Sequence, residues 1–128
     1  MATLPRLEVM DKVVTIAVKD GNGAALNLNN YPVSGATLQV GNFVIQKYTY
    51  PAKTGYKTLK VVNLLAGLVD MNIFREDEFK APAGNVFYNF YVYETESDFL
   101  DDKFKTVADA VEIYTLNKNP NLKTNDGY

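Results

Sequence analysis

Residues that favour a pleated strand recur with a period of two along much of this chain, and at Val86-Phe87-Tyr88-Asn89-Phe90-Tyr91-Val92-Tyr93 they fill both alternating faces. Both alternating sets are rich in β-branched and aromatic residues, the composition a pleated strand favours. One face of such a strand can build a core. The other carries Phe87, Tyr91 and Tyr93, which then need cover from a second layer, a neighbouring chain or a ligand.

The same period recurs upstream. Val14, Ile16 and Val18 alternate with Val13, Thr15 and Ala17, and Asp20-Gly21-Asn22-Gly23 then joins two hairpin dipeptides in tandem. With Ala24, Leu26 and Leu28 alternating beyond it, a hairpin is predicted here. Residues 29–35 read as a loop, and strands are predicted at 36–40 and 43–50, divided by Gly41-Asn42. In the second, Phe43 and Ile45 face away from Val44, Gln46, Tyr48 and Tyr50.

Residues 51–56 form a tight connection. Over 58–74 a helix would gather Leu59, Val62, Leu65 and Val69, but Gly67 would cost about 1 kcal/mol inside it. Val69, Met71 and Ile73 alternate with Asp70 and Asn72, so two strands turning near Ala66-Gly67 are favoured over the helix. Residues 75–80 are a polar connector and 81–85 a turn. Ser97 is a good N-cap and Asp98 suits a first helical turn, so one short helix is expected near residues 97–110, followed by a closing strand through Leu116. The polar residues 117–128, with Pro120, read as a tail that a partner could order.

Many short strands with Gly, Pro and Asn turns predict a mainly β domain over 1–116. The expected form is an antiparallel β-sandwich, Ig-like or jelly-roll-like, or a small barrel. A chain of 128 residues that is 47% hydrophobic can build such a core without disulfides or structural metal. Charge adds little, since 13 Lys and Arg oppose 15 Asp and Glu. No basic field points to nucleic acid, and no apolar run approaches the ~20 residues that cross a bilayer. A soluble protein without a signal peptide is expected.

Candidate chemistry is sparse. The chain has no His, Cys or Trp, which removes the usual imidazole and thiolate catalysts and metal ligands. Ser34 and Ser97 therefore lack an imidazole base. The acidic group Glu94, Glu96, Asp98, Asp101 and Asp102 does not follow an EF-hand order and reads as a solvated loop with an acidic helix start. Acidic pairs such as Glu76/Asp77 and Asp101/Asp102 are ordinary in polar loops. No catalytic residue, metal or cofactor is expected. The surplus lies instead in 9 Tyr and 7 Phe. Tyrosine suits protein contacts and sugar stacking because its ring is apolar while its hydroxyl stays hydrated. Tyr48 and Tyr50 share one strand face and Tyr91 and Tyr93 another, and these four are the expected interface residues.

In its start Met1-Ala-Thr-Leu-Pro5, its turn Asp20-Gly-Asn-Gly23 and its Tyr/Asn-rich strands through Tyr93, the chain resembles small virion accessory proteins of tailed bacteriophages, of the head-decoration, auxiliary capsid or fibre-base type. The resemblance implies a non-enzymatic structural protein, located in the virion, that docks on a symmetric shell or on copies of itself; the tail from Asn117 is read from its polar composition as an arm. The alternative is a non-catalytic carbohydrate- or ligand-binding β-sandwich, with its tyrosines clustered in a groove.

Overall fold

The computed structural model describes residues 6–8 and 10–117, with the side chains of 6–8 left aside. Along them run β1 (Arg6–Glu8), β2 (Lys12–Ala17), a 3-10 turn (Leu28–Asn30), β3 (Val33–Val40), β4 (Phe43–Tyr50), β5 (Lys57–Thr58), β6 (Lys60–Asn63) and β7 (Leu68–Ile73). After these come α1 (Arg75–Glu78), β8 (Gly84–Tyr93), α2 (Glu96–Leu100) and β9 (Lys105–Asn117). The strands form two open sheets, one ordered β1-β9-β8-β3-β4-β5 and the other β2-β7-β6. The fold is mainly β and sandwich-like, without a closed barrel.

Alternation in β8 explains the packing. Val86, Tyr88, Phe90 and Val92 point inward, where Ala36, Leu38 and Val40 of β3 and Tyr114 and Leu116 of β9 join them. The small sheet closes this core with Ile16, Val69, Met71 and Ile73. Removing apolar side chains from water is what holds the layers together, at roughly 1.5–3 kcal/mol for each large side chain fully buried. Phe90 stands opposite Ala36 and Tyr88 opposite Leu38, so a large ring meets a smaller neighbour at each step.

Several expectations are corrected. The turn at 20–24 is present, with the Asp20 carboxylate accepting from the N–H groups of Asn22 and Ala24. Its arms, however, share only the bridge Lys19–Ala25, and β2 instead pairs with β7 along its whole length. The predicted turn at Ala66-Gly67 does join two strands, β6 and β7. The helix expected near 97–110 stops at Leu100, with Thr95 rather than Ser97 as N-cap, its hydroxyl accepting from the Asp98 N–H at 3.0 Å. Residues from Lys105 onward are strand. The connector at 75–80 contains a helical turn whose Glu78 is fully buried.

Glu78 lies at a polar junction between the layers. Its carboxylate is paired with Lys12 of β2, accepts from the Tyr114 hydroxyl of β9 at 2.6 Å, and accepts more weakly from the Met10 N–H at 3.4 Å. Asn117 is the last residue of β9, and the remainder of the expected tail lies outside the described residues. No helix among the described residues is long and apolar enough to cross a membrane.

Candidate functional site

Of the four tyrosines expected at an interface, Tyr48 is the clearest departure. It is 0% exposed in the core and donates its hydroxyl to the Asn72 carbonyl at 2.9 Å. A bulge is responsible. Leu38 pairs with Gln46 and Gln39 with Val44, so Ile45 is an extra residue and turns inward along with Tyr48. Tyr50 also packs against the core cluster. Neither ring belongs to an outer face.

Tyr91 and Tyr93 lie on the other side of β8, as their alternation requires, but they are not bare. The hairpin from β8 through α2 into β9 folds Phe99 and Phe104 over them. Tyr93 is left only 3% exposed, with ring centroids 5.2 Å from Phe99 and 6.2 Å from Phe104. Tyr91 lies 5.0 Å from Phe104 and 5.9 Å from Tyr93, and Tyr56 joins through Phe99 at 5.8 Å. Offset and edge-on pairs at these spacings are each worth about 0.5–1.5 kcal/mol beyond area burial.

Gly35 makes room for this arrangement. It stands opposite Tyr91 in the β3–β8 ladder, and a Cβ there would fall 2.6 Å from the Tyr91 ring. Without a side chain at that position, the ring can lie down across β3. In the same row Thr49 faces Gly35, and its hydroxyl is buried with no hydrogen-bond partner.

Tyr56, Tyr91, Tyr93 and Phe104 border a groove of about 380 Å³ on the outer face of the large sheet, within the range of small-molecule sites. Its ends differ. One is aromatic, with Tyr56, Tyr91, Tyr93 and Phe104 beside Asp102. The other is polar, with Lys47, Thr37, Asn89 and Asp109, and Thr106 completes the wall.

Most of the polar end is already satisfied internally. The Asn89 amide nitrogen donates to Thr37 Oγ1 and Gln39 Oε1, and its oxygen accepts from the Ala110 N–H at 2.7 Å. That last bond holds a break in the β9 ladder where Ala110 takes a φ of 51°. Asp102 likewise has a positive φ, 57°, in the turn between α2 and β9. Neither Asp102 nor Asp109 forms an ion pair among the described residues.

Electrostatics reflect this crowding of phenols and carboxylate. Burial, with the Tyr56 phenol and Asp102 adding to it, pushes Tyr93 up to about 12. Tyr91 rises further, through burial first and then Tyr93, Tyr56 and Asp102. Tyr114 rises through burial and through its bond to Glu78, and Tyr48 chiefly through burial.

The sign of the resulting stability effect is fixed. The unfolded chain ionises its tyrosines near pH 10 while these four stay protonated in the fold, so the unfolded state binds fewer protons and stability falls as pH rises. The contribution is whole below pH 10 and declines through 12 and beyond. A tyrosinate absorbance titration should therefore show late, cooperative ionisation that coincides with loss of structure. Identical titration curves for native and denaturant-unfolded protein would contradict this.

The acidic segment is divided rather than gathered. Glu96 pairs with Lys53 at 2.9 Å, Asp102 turns to the groove, and no group of three or more acidic, His or Cys residues among those described is arranged to hold a metal ion. Comparison with known proteins leaves this geometry on its own. The chain matches no protein-family model, no curated protein and no solved structure. The rings of Tyr56, Phe99 and Phe104 were not singled out in the sequence. The signal for two of them is plain in retrospect, because Phe99 and Phe104 are apolar rings inside an otherwise charged segment.

Proposed function

We propose that this chain is a structural or assembly protein of the virion-accessory kind, docking on copies of itself and on a larger symmetric shell through the outer face of its six-stranded sheet. The observation that carries this reading is the segment closing the groove, where Leu100 is 81% exposed and Phe104 50% exposed beside a packed aromatic cluster. Rigid rings with apolar anchors and a charged rim are the anatomy of interface hot spots. The rim here is made by Lys47, Asp102, Asp109 and the Lys53–Glu96 pair. The docking residues are thus Tyr91, Phe104 and Leu100, with Tyr93 as the support behind them.

Multi-angle light scattering of the purified protein is expected to show a species heavier than one chain. Leu100→Asp combined with Phe104→Asp should return it to a single chain with an unchanged circular-dichroism spectrum. A protein that stays monomeric at every concentration, and that is not retained on isolated phage capsids or tails, would sink the reading.

The groove itself favours a second reading, saccharide binding, because aromatic walls lie beside hydroxyl and amide groups. Those polar groups are largely spent on one another, since Thr37 and Asn89 are already mutually bonded. A glycan array without hits would remove this alternative.

A further inference from the structure

We propose that the aromatic end of the groove is a binding site for an organic ammonium group, with the rings of Tyr91, Tyr93 and Phe104 as walls and the Asp102 carboxylate as counter-charge. This goes beyond the assembly role, although it draws on Tyr91 and Phe104 of the same face.

The first support is the orientation of the rings. Tyr91 and Tyr93 meet at 87°, Tyr93 and Phe104 at 72°, and Tyr91 and Phe104 at 42°. They form a corner of differently turned surfaces rather than a stack. Aromatic faces are negative and edges positive, so each ring of this corner that turns a face to the groove would attract a cation lying over it.

The second support is the state of the charges. Asp102 lines this end of the groove with no ion-pair partner among the described residues. Its closeness to the phenols is felt by both Tyr91 and Tyr93, whose ionisation it opposes. Asp109 adds to the groove a second carboxylate without an ion pair among the described residues. Among the described residues Lys47 is the one cation lining it, and it belongs to the other end. Lys47 pairs in register with Thr37, and Thr37 with Asn89. From the Asn89 row to Tyr93 is four residues along β8, about 13 Å at strand rise.

The cluster also holds an ammonium of its own. Lys53 Nζ lies 5.2 Å from the centroid of Phe99, the ring that packs on Tyr93. The chemistry proposed for a ligand is thus already in use next door.

An alkylated ammonium is the class that fits best. Methyl groups weaken hydration of the charge and gain apolar contact with the rings, whereas a bare ammonium must surrender a tightly held water shell. A neutral sugar would find few free hydrogen-bonding groups here, and an anion would meet the two carboxylates. The trimethylammonium group is shared by free choline and by choline lipid headgroups.

Choline chloride titrated into the full-length protein, followed by NMR, should show saturable upfield shifts of its methyl protons from the ring currents. The uncharged isostere 3,3-dimethylbutan-1-ol should bind at least about tenfold more weakly, as expected when cation–π and ionic attraction dominate. Asp102→Asn, which keeps a residue tolerant of positive φ, and Phe104→Leu should each weaken choline by about tenfold, with circular dichroism unchanged. Phosphatidylcholine vesicles offered beside free choline distinguish a lipid headgroup from a soluble ligand. Equal binding of choline and the isostere, indifference to both substitutions, or no saturable shift up to a concentration on the order of 100 mM would overturn the proposal.

Discussion

Replacing Lys12 by Met is expected to destabilise the fold by about 3 kcal/mol, out of the ~5–15 kcal/mol typical of a domain. Glu78 is 0% exposed and carries a carboxylate whose principal charged partner is Lys12. Removing the ammonium leaves the acid, among the described residues, with the Tyr114 hydroxyl and the distant Met10 N–H. Breaking one half of a buried pair is far more damaging than never having had it, because the remaining charge keeps its desolvation penalty. The Lys12 side chain is 11% exposed, so some water reaches the pair, which places the effect at the lower end of the usual range.

Adding Glu78→Gln to Lys12→Met should restore most of the loss, since the orphaned charge is gone. Urea midpoints for the two single variants and the double variant form a cycle that reads the coupling directly. A Lys12→Met protein within about 0.5 kcal/mol of the parent would show that the pair contributes nothing. The same network bears on the alkaline transition, because Tyr114 is kept protonated partly by the acid it bonds to.

Gly67→Ala is the second large effect. Gly67 has a φ of 65°, and a Cβ there would fall 2.8 Å from both the Val18 and the Leu26 carbonyl oxygens. Both obstacles are backbone, and neither is free to move. Val18 donates its N–H to the Gly67 carbonyl at 2.9 Å, while the Val18 carbonyl accepts from Leu26 at 3.0 Å. The position joins the turn after β2 to the turn before β7, so relief in one segment disturbs the other. The left-handed conformation alone costs an alanine roughly 1–2 kcal/mol, and the contacts raise the expected loss above about 3 kcal/mol. Gly23→Ala is the control. Its φ is 83° but nothing lies within 4 Å of the added atom, so it should lose only the conformational part. Equal losses at the two sites in denaturant unfolding would refute the steric argument.

How much of this was legible in the sequence depended on how local the cause was. The strand β8, the β3–β4 hairpin and the reversal at Gly67 rest on alternation and turn chemistry, and they were readable from neighbouring residues. The partner of β2 was not, because the turn at Asp20 announces a hairpin while the pairing is made with β7, some fifty residues later. Glu78 stands in a run of charges that reads as solvent-facing, and its burial is decided by Lys12 and Tyr114 from two other elements.

The helix expected near residues 97–110 runs too far because the ladder between β8 and β9 is broken several times, which scrambles the strict alternation of a strand. At Tyr48 one inserted residue, Ile45, was enough to send an expected surface ring into the core. The candidate site was half legible. Tyr91 and Tyr93 were found by their face, while Tyr56, Phe99 and Phe104 reach them from a loop, a short helix and a turn, so the apolar character of Phe99 and Phe104 shows in the sequence but their destination does not.

The order in which the chain visits its two layers has a consequence for how it is made. It lays down β1 in the large sheet, β2 in the small one, β3 to β5 in the large, β6 and β7 in the small, and only then β8 and β9. The strand that sits between β3 and β9 therefore emerges only after every strand of the small sheet. Until it arrives, β3 has one bare flank and the small sheet lacks much of the surface it packs against. Nucleation must wait for distant segments to meet, which makes for slow acquisition of structure and an interval on the ribosome in which unpaired strand edges are open to aggregation.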